Sequence, residues 1–354
     1  MRVVVTGATG NVGTAVVEAL AADDQVNEIV GIARRPPDIK PLKTRYVAAD
    51  IGEDDLVPHL RGADALVHLA WMFQPTHRPE VTWRANAAGS ARLFEAAAAA
   101  GVGAVVHASS VGAYSPGPTE PVDESWPTHS LPTAGYGREK AYVERVLDAF
   151  EANHPGIRVV RMRPAFIFQR RSATEQRRIF AGPFLPNPLL RRGLLPVVPW
   201  PSGLRFQALH TADAAEAYRL AVVSSDARGA YNVAADPILD ADAVGELLGA
   251  RTVSVPGGAA RAALSSLWHL HVVPAEPALL DLVQAIPLLD TSRIRTELGW
   301  DPQVSSTEAM REVLAGMVAG AGGETPTLAG DSARGRLQEV AGGVGETYST
   351  DHRT

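Results

Sequence analysis

Tyr136 and Lys140 stand four residues apart near the start of a stretch with helical periodicity. At about 100° per residue they lie only about 40° apart around the helix axis. Val143, Leu147 and Phe150 share their stripe, so the pair faces inward. An inward ammonium among aliphatic side chains is costly unless it has a role there. Of the 33 basic residues only Lys40, Lys43 and Lys140 are lysines, so an idle one at this place is hard to account for. A phenol with a pKa of about 10 exchanges protons poorly at neutral pH. A neighbouring ammonium or an oxidised nicotinamide lowers that value towards the working range. Ser109 and Ser110 end the β-branched run Ala104–Ala108, at the edge where an open α/β sheet binds ligands. A serine hydroxyl there could hold a carbonyl oxygen while Tyr136 protonates it.

A glycine turn supplies the partner for such chemistry. Val3-Val4-Val5 runs into Thr6-Gly7-Ala8-Thr9-Gly10-Asn11-Val12-Gly13, and a helix continues from Thr14. Glycines permit a tight turn and let backbone N–H groups approach a pyrophosphate, to which the helix N-terminus adds its dipole. The spacing Gly-x-x-Gly-x-x-Gly departs from the commonest dinucleotide fingerprint; its position between a strand and a helix gives it force. Gly7, Thr9, Gly10, Asn11, Val12 and Gly13 are therefore expected to hold a dinucleotide. NAD-selective sites place an acid about twenty residues further on, where it bonds the ribose 2′-hydroxyl. Here the next β run ends in Ala33-Arg34-Arg35, with no acid. Arg34, with Arg35 beside it, suits a 2′-phosphate, so NADP is expected in preference to NAD. The competing reading has both arginines solvating a loop.

The elements that must position these residues follow from the pattern. β runs at 2–5, 29–33, 45–47, 65–69, 104–108 and 158–162 alternate with helical stretches near 10–21, 54–60, 84–100 and 136–153. Such alternation means a doubly wound, Rossmann-type parallel α/β sheet. After Pro164 the rhythm breaks into a proline- and arginine-rich stretch to 206. A helix at 213–223 follows, with Asp213 and Glu216 spaced as a capping box. A strand at 230–234 and helices near 242–248, 259–271, 291–298 and 307–318 complete the pattern. The expected division is a dinucleotide-binding domain at 1–163, a smaller, mostly helical substrate lobe at 164–318 with segments returning to the sheet, and a flexible tail at 319–354. A net charge of −6 argues against nucleic acid as a partner. The absence of cysteine removes disulfides and thiolate chemistry. No apolar run has bilayer-spanning length and no signal-peptide pattern opens the chain, so a cytoplasmic enzyme acting on a small molecule, away from membranes, is expected.

These motifs together resemble the extended short-chain dehydrogenase/reductase family, also called the NAD-dependent epimerase/dehydratase family, over roughly residues 1–315. The resemblance is carried by the glycine turn, Asp50-Ile51, Leu66-Val67-His68-Leu69-Ala70, Asn86-Ala87-Ala88-Gly89-Ser90, Ser109-Ser110 with Ala113-Tyr114, and Tyr136-x-x-x-Lys140. It implies that Ser110 polarises the substrate, that Tyr136 is the acid/base, and that Lys140 binds the ribose and tunes the tyrosine. Asp50 and Ile51 would bracket the adenine, with Leu69, Ala70, Asn86 and Pro164 completing the cofactor site. For Asn86 a helix-packing role is an even alternative. His68 and His210 match positions that are mainly structural, and His107 reads as packing. Helices 84–100 and 136–153 resemble those that pair across a family homodimer.

The residues after Ser110 narrow the reaction. Val111-Gly112-Ala113 lacks the carboxylate that family dehydratases usually carry there, which leaves alcohol/ketone interconversion or epimerisation through a transient ketone. Trp71, Met72 and Phe73 are expected to line the substrate pocket, their alternative being ordinary core. Residues 163–206 hold eight arginines (163, 170, 171, 177, 178, 191, 192 and 205) against one acid, Glu175. That segment, with Arg163 at its start, could grip a diphosphate or carboxylate, or be a solvated basic loop. His269-x-His271 invites a metal reading but has no third ligand in recognisable spacing, so no metal is expected. The leading expectation is an NADP-preferring oxidoreductase. The alternatives are a nucleotide-sugar epimerase with tightly held NAD, and a non-catalytic NAD(P)-binding regulatory protein.

Overall fold

The computed structural model describes residues 1–39 and 41–346. Its strands are β1 (Arg2–Thr6), β2 (Glu28–Ala33), β3 (Thr44–Ala48), β4 (Ala65–His68), β5 (Ala104–Ala108), β6 (Arg158–Pro164), β7 (Phe166–Phe168), β8 (Val197–Pro201), β9 (Ala208–His210), β10 (Gly229–Val233) and β11 (Arg251–Val255). Seven of them form the central sheet in the order β3-β2-β1-β4-β5-β6-β10, and all its pairings are parallel. The reversal of direction lies between β1 and β4, which opens a crevice at the strand C-termini there.

Side-chain alternation explains why both faces need cover. Val3, Val5, Val67, Val106 and Met162 face helices Asn11–Ala22 and Thr211–Val223. Val4, Val30, Leu66, Val105 and Val159 face Leu93, Phe94 and Ala97 of helix Gly89–Ala100 and Val143, Leu147 and Phe150 of helix Gly135–Asn153. Leu93, Phe94 and Leu147 are wholly buried, each contributing about 2 kcal/mol relative to exposure.

Several boundaries differ from the sequence expectation. The helix expected over 54–60 is confined to Val57–Leu60, because the carboxylates of Asp50, Asp54 and Asp55 bond nearby backbone N–H groups and hold 50–57 in turns. The expected helix 84–100 begins with a π-helical turn, Arg84–Ala88. Asp213 and Glu216 form no capping box. His210 caps Thr211–Val223 by accepting from Ala212 N, while Asp213 accepts from the N–H groups of Gln303 and Val304.

The second half interleaves with the first: β10 extends the sheet beside β6, and helix Thr211–Val223 packs under it. The stretch after Pro164 contains short pieces that no period reveals. β7 pairs with β9 and β8 with β11, and helix Ala173–Gln176 is followed by a π turn, Arg177–Ala181. Residues 320–346, expected to be a flexible tail, instead fold back over the molecule. Leu328 is buried, and helix Ala333–Ala341 sends Glu339 to the buried Arg177 at 2.6 Å. Composition hides this because the anchors are polar; residues 347–354 lie outside the described residues. No helix among the described residues is long and apolar enough to cross a membrane.

Candidate active site

The chain leaves β1 at Thr6 and turns through Gly7, whose φ of +70° favours glycine. A Cβ on Gly7 would lie 2.6 Å from Ala70 N, and one on Gly13 only 2.0 Å from Gly7 O. Helix Asn11–Ala22 opens at Gly10 with no side-chain cap and no acid in its first turn, so its N–H groups are presented to an anion. Gly7, Thr9, Gly10, Asn11, Val12 and Gly13 all line one cavity. This cradle, closed to any Cβ at two positions, fits a dinucleotide pyrophosphate. Asn11 also ties the turn to the second half of the chain, since its amide bonds Ile167 O, Gln169 and Thr211.

The same cavity reaches Ser110, Tyr136 and Lys140. The backbone turns sharply after β5, with Ser110 Oγ accepting from Gly112 N at 3.0 Å. Behind it, Ser109 Oγ donates to the buried Glu144. Gly112 leaves room for the phenol, since a Cβ there would meet the Tyr136 ring at 2.9 Å. Burial pushes the Tyr136 phenol up to about 12, against the opposing effect of its hydrogen bond with Ser110. Lys140 is buried, and burial lowers its pKa well below the usual lysine range despite Glu139 and Glu144. Its Nζ donates to Ala108 O at 2.7 Å and sits 3.4 Å over the Trp71 ring. The amine also lies 5.9 Å from the centroid of the Tyr136 ring, so in this arrangement it is anchored on a strand carbonyl and an indole face beside the phenol.

The loop after β4 supplies the wall. Phe73 stacks on Tyr136 with centroids 5.2 Å apart, and Trp71 meets the same ring edge-on at 6.0 Å. Asn86 clamps the loop by accepting from Met72 N and donating to Met72 O. It also donates to the buried Glu139, which holds Thr82 too. The even choice for Asn86 between site and packing thus resolves as both: it lines the cavity while its amide is spent on the loop. Arg34, Arg35, Asp50, Ile51, Leu69, Ala70, Trp71, Met72, Phe73 and Pro164 line the cavity as well.

Arg163 does not join them. It is buried, its Nε and Nη2 donate to Glu144 at 2.9 Å each, and its Nη1 donates to Tyr114 OH and Glu124 O. The expectation of a substrate contact fails because the guanidinium is consumed beneath the sheet edge. None of the eight arginines of 163–206 lines the cavity. Arg171 pairs with Glu18, Arg177 with Glu339, and Arg178 and Arg205 donate to the carbonyls of Thr327 and Thr119. The grip on a diphosphate expected from their number has no counterpart there.

Sequence reasoning passed over several lining residues: Glu175, Gln176, Ile179 and Phe180 from the second half, Leu279, Leu282, Val283 and Ile286 from helix Pro277–Ala285 and its end, and Pro326 and Thr327 from the folded-back segment. Glu175 alone carried a signal, as the one acid among those arginines. His68 is buried between Thr6 and Ser90, and burial lowers it to about 3, which keeps it neutral. The third ligand that spacing could not supply to His271 comes from afar, as His77 and Glu346 lie beside it. The rings of His77 and His271 stack with planes 15° apart. His271 Nε2 also lies 3.1 Å from Glu346, so the trio is held together by a ring stack and a hydrogen bond.

Comparison with known proteins places the chain in a family and a fold. The family model described as NAD dependent epimerase/dehydratase family matches residues 3–234. An uncharacterized protein of Mycobacterium tuberculosis is 26% identical over 314 residues, 88% of this chain, which spans only 29% of that relative's length. A 4-hydroxy-2-methyl-3-oxo-4-farnesyl-3,4-dihydroquinoline-1-oxide ketoreductase of Stigmatella aurantiaca is 30% identical over 171 residues, covering 48% of this chain and 51% of that one. Among solved structures, UDP-glucose 4-epimerase of Thermus thermophilus in complex with NAD shares the fold at a TM-score of 0.66, 23% identity and coverage of 90% and 99%. A short-chain dehydrogenase/reductase superfamily protein of Agrobacterium tumefaciens with bound NAD does so at 0.67, 22% identity and coverage of 89% and 97%.

Proposed function

The chain belongs to the NAD dependent epimerase/dehydratase family, and we propose that it is a nicotinamide-dependent oxidoreductase interconverting an apolar secondary alcohol and its ketone. One observation carries the choice of substrate. Beyond Tyr136 the cavity is walled by Met72, Phe73, Ile179, Phe180, Leu282 and Ile286, with no arginine from the basic stretch. A nucleotide sugar carries a diphosphate, whose burial without a cation would be costly. The ketoreductase of Stigmatella aurantiaca, similar over half the chain, acts on a farnesylated ketone by its name, which accords with an apolar wall.

In this reading the bound nicotinamide supplies or accepts the hydride. Ser110 bonds the substrate oxygen, and Tyr136 gives its proton to that oxygen in reduction and takes it back in oxidation. Lys140, anchored on Ala108 O, holds Trp71 and faces the cofactor ribose. Phe73 covers the phenol against water. Arg34 and Arg35 follow β2, where the sequence of an NAD-selective site carries an acid, and both line the cavity, which supports NADP over NAD. The exposure of Tyr142 beside Trp83 supports a homodimer through helices Gly89–Ala100 and Gly135–Asn153; a monomer in sedimentation would exclude it.

The test is consumption of NADPH and NADH with apolar ketones by the full chain and by Tyr136→Phe. Loss of general acid catalysis lowers turnover about 10²- to 10⁴-fold, with cofactor affinity nearly unchanged. Protein that purifies with tightly held NAD and consumes no free cofactor would sink the reductase reading in favour of an epimerase. Turnover unaffected by the substitution would sink the assignment of Tyr136.

A further inference from the structure

Two buried polar side-chain atoms of the cavity lining have no hydrogen-bond partner among the described residues: Trp71 Nε1 and Glu175 Oε2. The indole is held by the lysine amine below it. Glu175 has no such explanation. It sits on the short helix Ala173–Gln176 among eight arginines, yet Arg171, Arg177 and Arg178 all turn to other partners. The charge of Arg178 is felt by Glu175, but burial dominates and raises its pKa from 4.5 to about 7. A buried carboxylate oxygen without a partner costs stability, and unsatisfied groups of this kind gather where a ligand completes them. The cavity it lines is shared with Phe73, Ile179, Phe180 and Leu279, and no described side chain bonds Oε2.

We propose that Glu175 is the substrate-recognition group of this cavity, its carboxyl bonding a hydroxyl or protonated amino group on an otherwise apolar ketone or alcohol. The proposal rests on the alcohol/ketone reading above and names what distinguishes one apolar substrate from another. The carboxyl orients the skeleton from the second half of the chain while Ser110 and Tyr136 act on the carbonyl from the sheet edge. Glu175 is thus a specificity-determining residue and takes no part in the proton transfer.

The experiment has two arms, both on the full chain with NADPH bound. The first measures kcat/KM for octan-2-one and for its hydroxy and amino derivatives substituted from C4 to C8. We expect at least one derivative to exceed octan-2-one about ten-fold in the unaltered protein. Glu175→Leu should bring that ratio close to one. Glu175→Gln should keep a preference for hydroxyl and lose one for ammonium, which separates the two donors. Ratios that survive Glu175→Leu overturn the proposal. The second arm compares thermal melting at pH 8. An orphan carboxyl kept for a ligand predicts that Glu175→Leu melts higher than the unaltered protein, whereas equal or lower melting means a structural role and also overturns it. A protein that reduces none of these ketones contradicts the alcohol/ketone reading, and the melting arm then still decides the matter for Glu175.

Discussion

Replacing Arg163 by Met removes a guanidinium that makes two 2.9 Å bonds to Glu144 and further bonds to Tyr114 and Glu124. The Glu144 side chain is 1% exposed and keeps Arg161 at 3.3 Å. Breaking a buried ion pair from one side costs about 3–5 kcal/mol, and the remaining Arg161 places this case near the lower figure. At roughly 2 °C per kcal/mol for a large domain, the melting temperature should fall by about 6 °C. Glu144→Gln should cost at least as much, because it leaves two guanidinium groups facing a neutral amide. The double variant should be less destabilised than the sum of the two by about 1 kcal/mol or more.

The pH dependence supplies a sign. Burial pushes Glu144 up, but the bonds from Arg163 and Ser109 and the charge of Arg161 more than reverse this and leave it below its usual value. A depressed carboxyl stabilises the fold above its unfolded pKa and loses that contribution as pH falls through the folded one. The gap between the unaltered protein and Glu144→Gln should therefore be full at pH 7 and close in acid. Urea and thermal unfolding of the cofactor-free full chain measure all of this. An Arg163→Met protein that melts within a degree of the original, with KM raised instead, would refute the reasoning and return Arg163 to the substrate.

Two further outcomes follow from the cradle and the phenol. Gly13→Ala puts a methyl carbon 2.0 Å from Gly7 O, so the turn must open, and NADPH affinity by fluorescence titration should drop by about ten-fold or more; unchanged affinity would show that the turn holds no phosphate. Burial pushes the Tyr136 phenol to about 12, so its proton is retained throughout the neutral range; kcat/KM for ketone reduction should stay flat between about pH 6 and 9 while alcohol oxidation rises with pH. A reduction profile falling with an apparent pKa near 7 would assign the proton to another group.

Much of the site was legible because its parts are local. The glycine turn, the serine pair at the end of β5 and the Tyr136–Lys140 spacing each fall within one element or one corner. Local pattern also revealed the six strands before Pro164 and the faces of the helices between them. The features that stayed hidden depend on pairing at a distance. Arg163 looked like a free cation because its partner, Glu144, lies 19 residues earlier on a helix whose inner face the periodicity shows but whose partner it does not name. Glu175 was visible as an oddity of charge, yet only the packing of helix Pro277–Ala285 and its neighbours reveals that the carboxyl faces a cavity. The spacing of Asp213 and Glu216 mimicked a cap, while the real anchor for Asp213 came from residues 303 and 304. Residues 320–346 carry little apolar patterning because that segment is held largely by Thr325, Asp331, Arg336 and Glu339.

One of those anchors bears on how the protein is made. Thr325 Oγ1 donates to the carbonyl of Thr9 at 2.6 Å across 316 positions of sequence, and Thr9 meets Thr327 as well. The glycine-turn corner is therefore sealed by residues that follow it by 316 positions. An emerging polypeptide can lay down the early strands in order, but its dinucleotide crevice stays unsealed until position 325 has left the ribosome. A contact of such long range forms slowly. A chain stopped before Thr325 would thus display a recognisable sheet with an unguarded mouth, and arrival of that segment becomes the event that finishes the binding site.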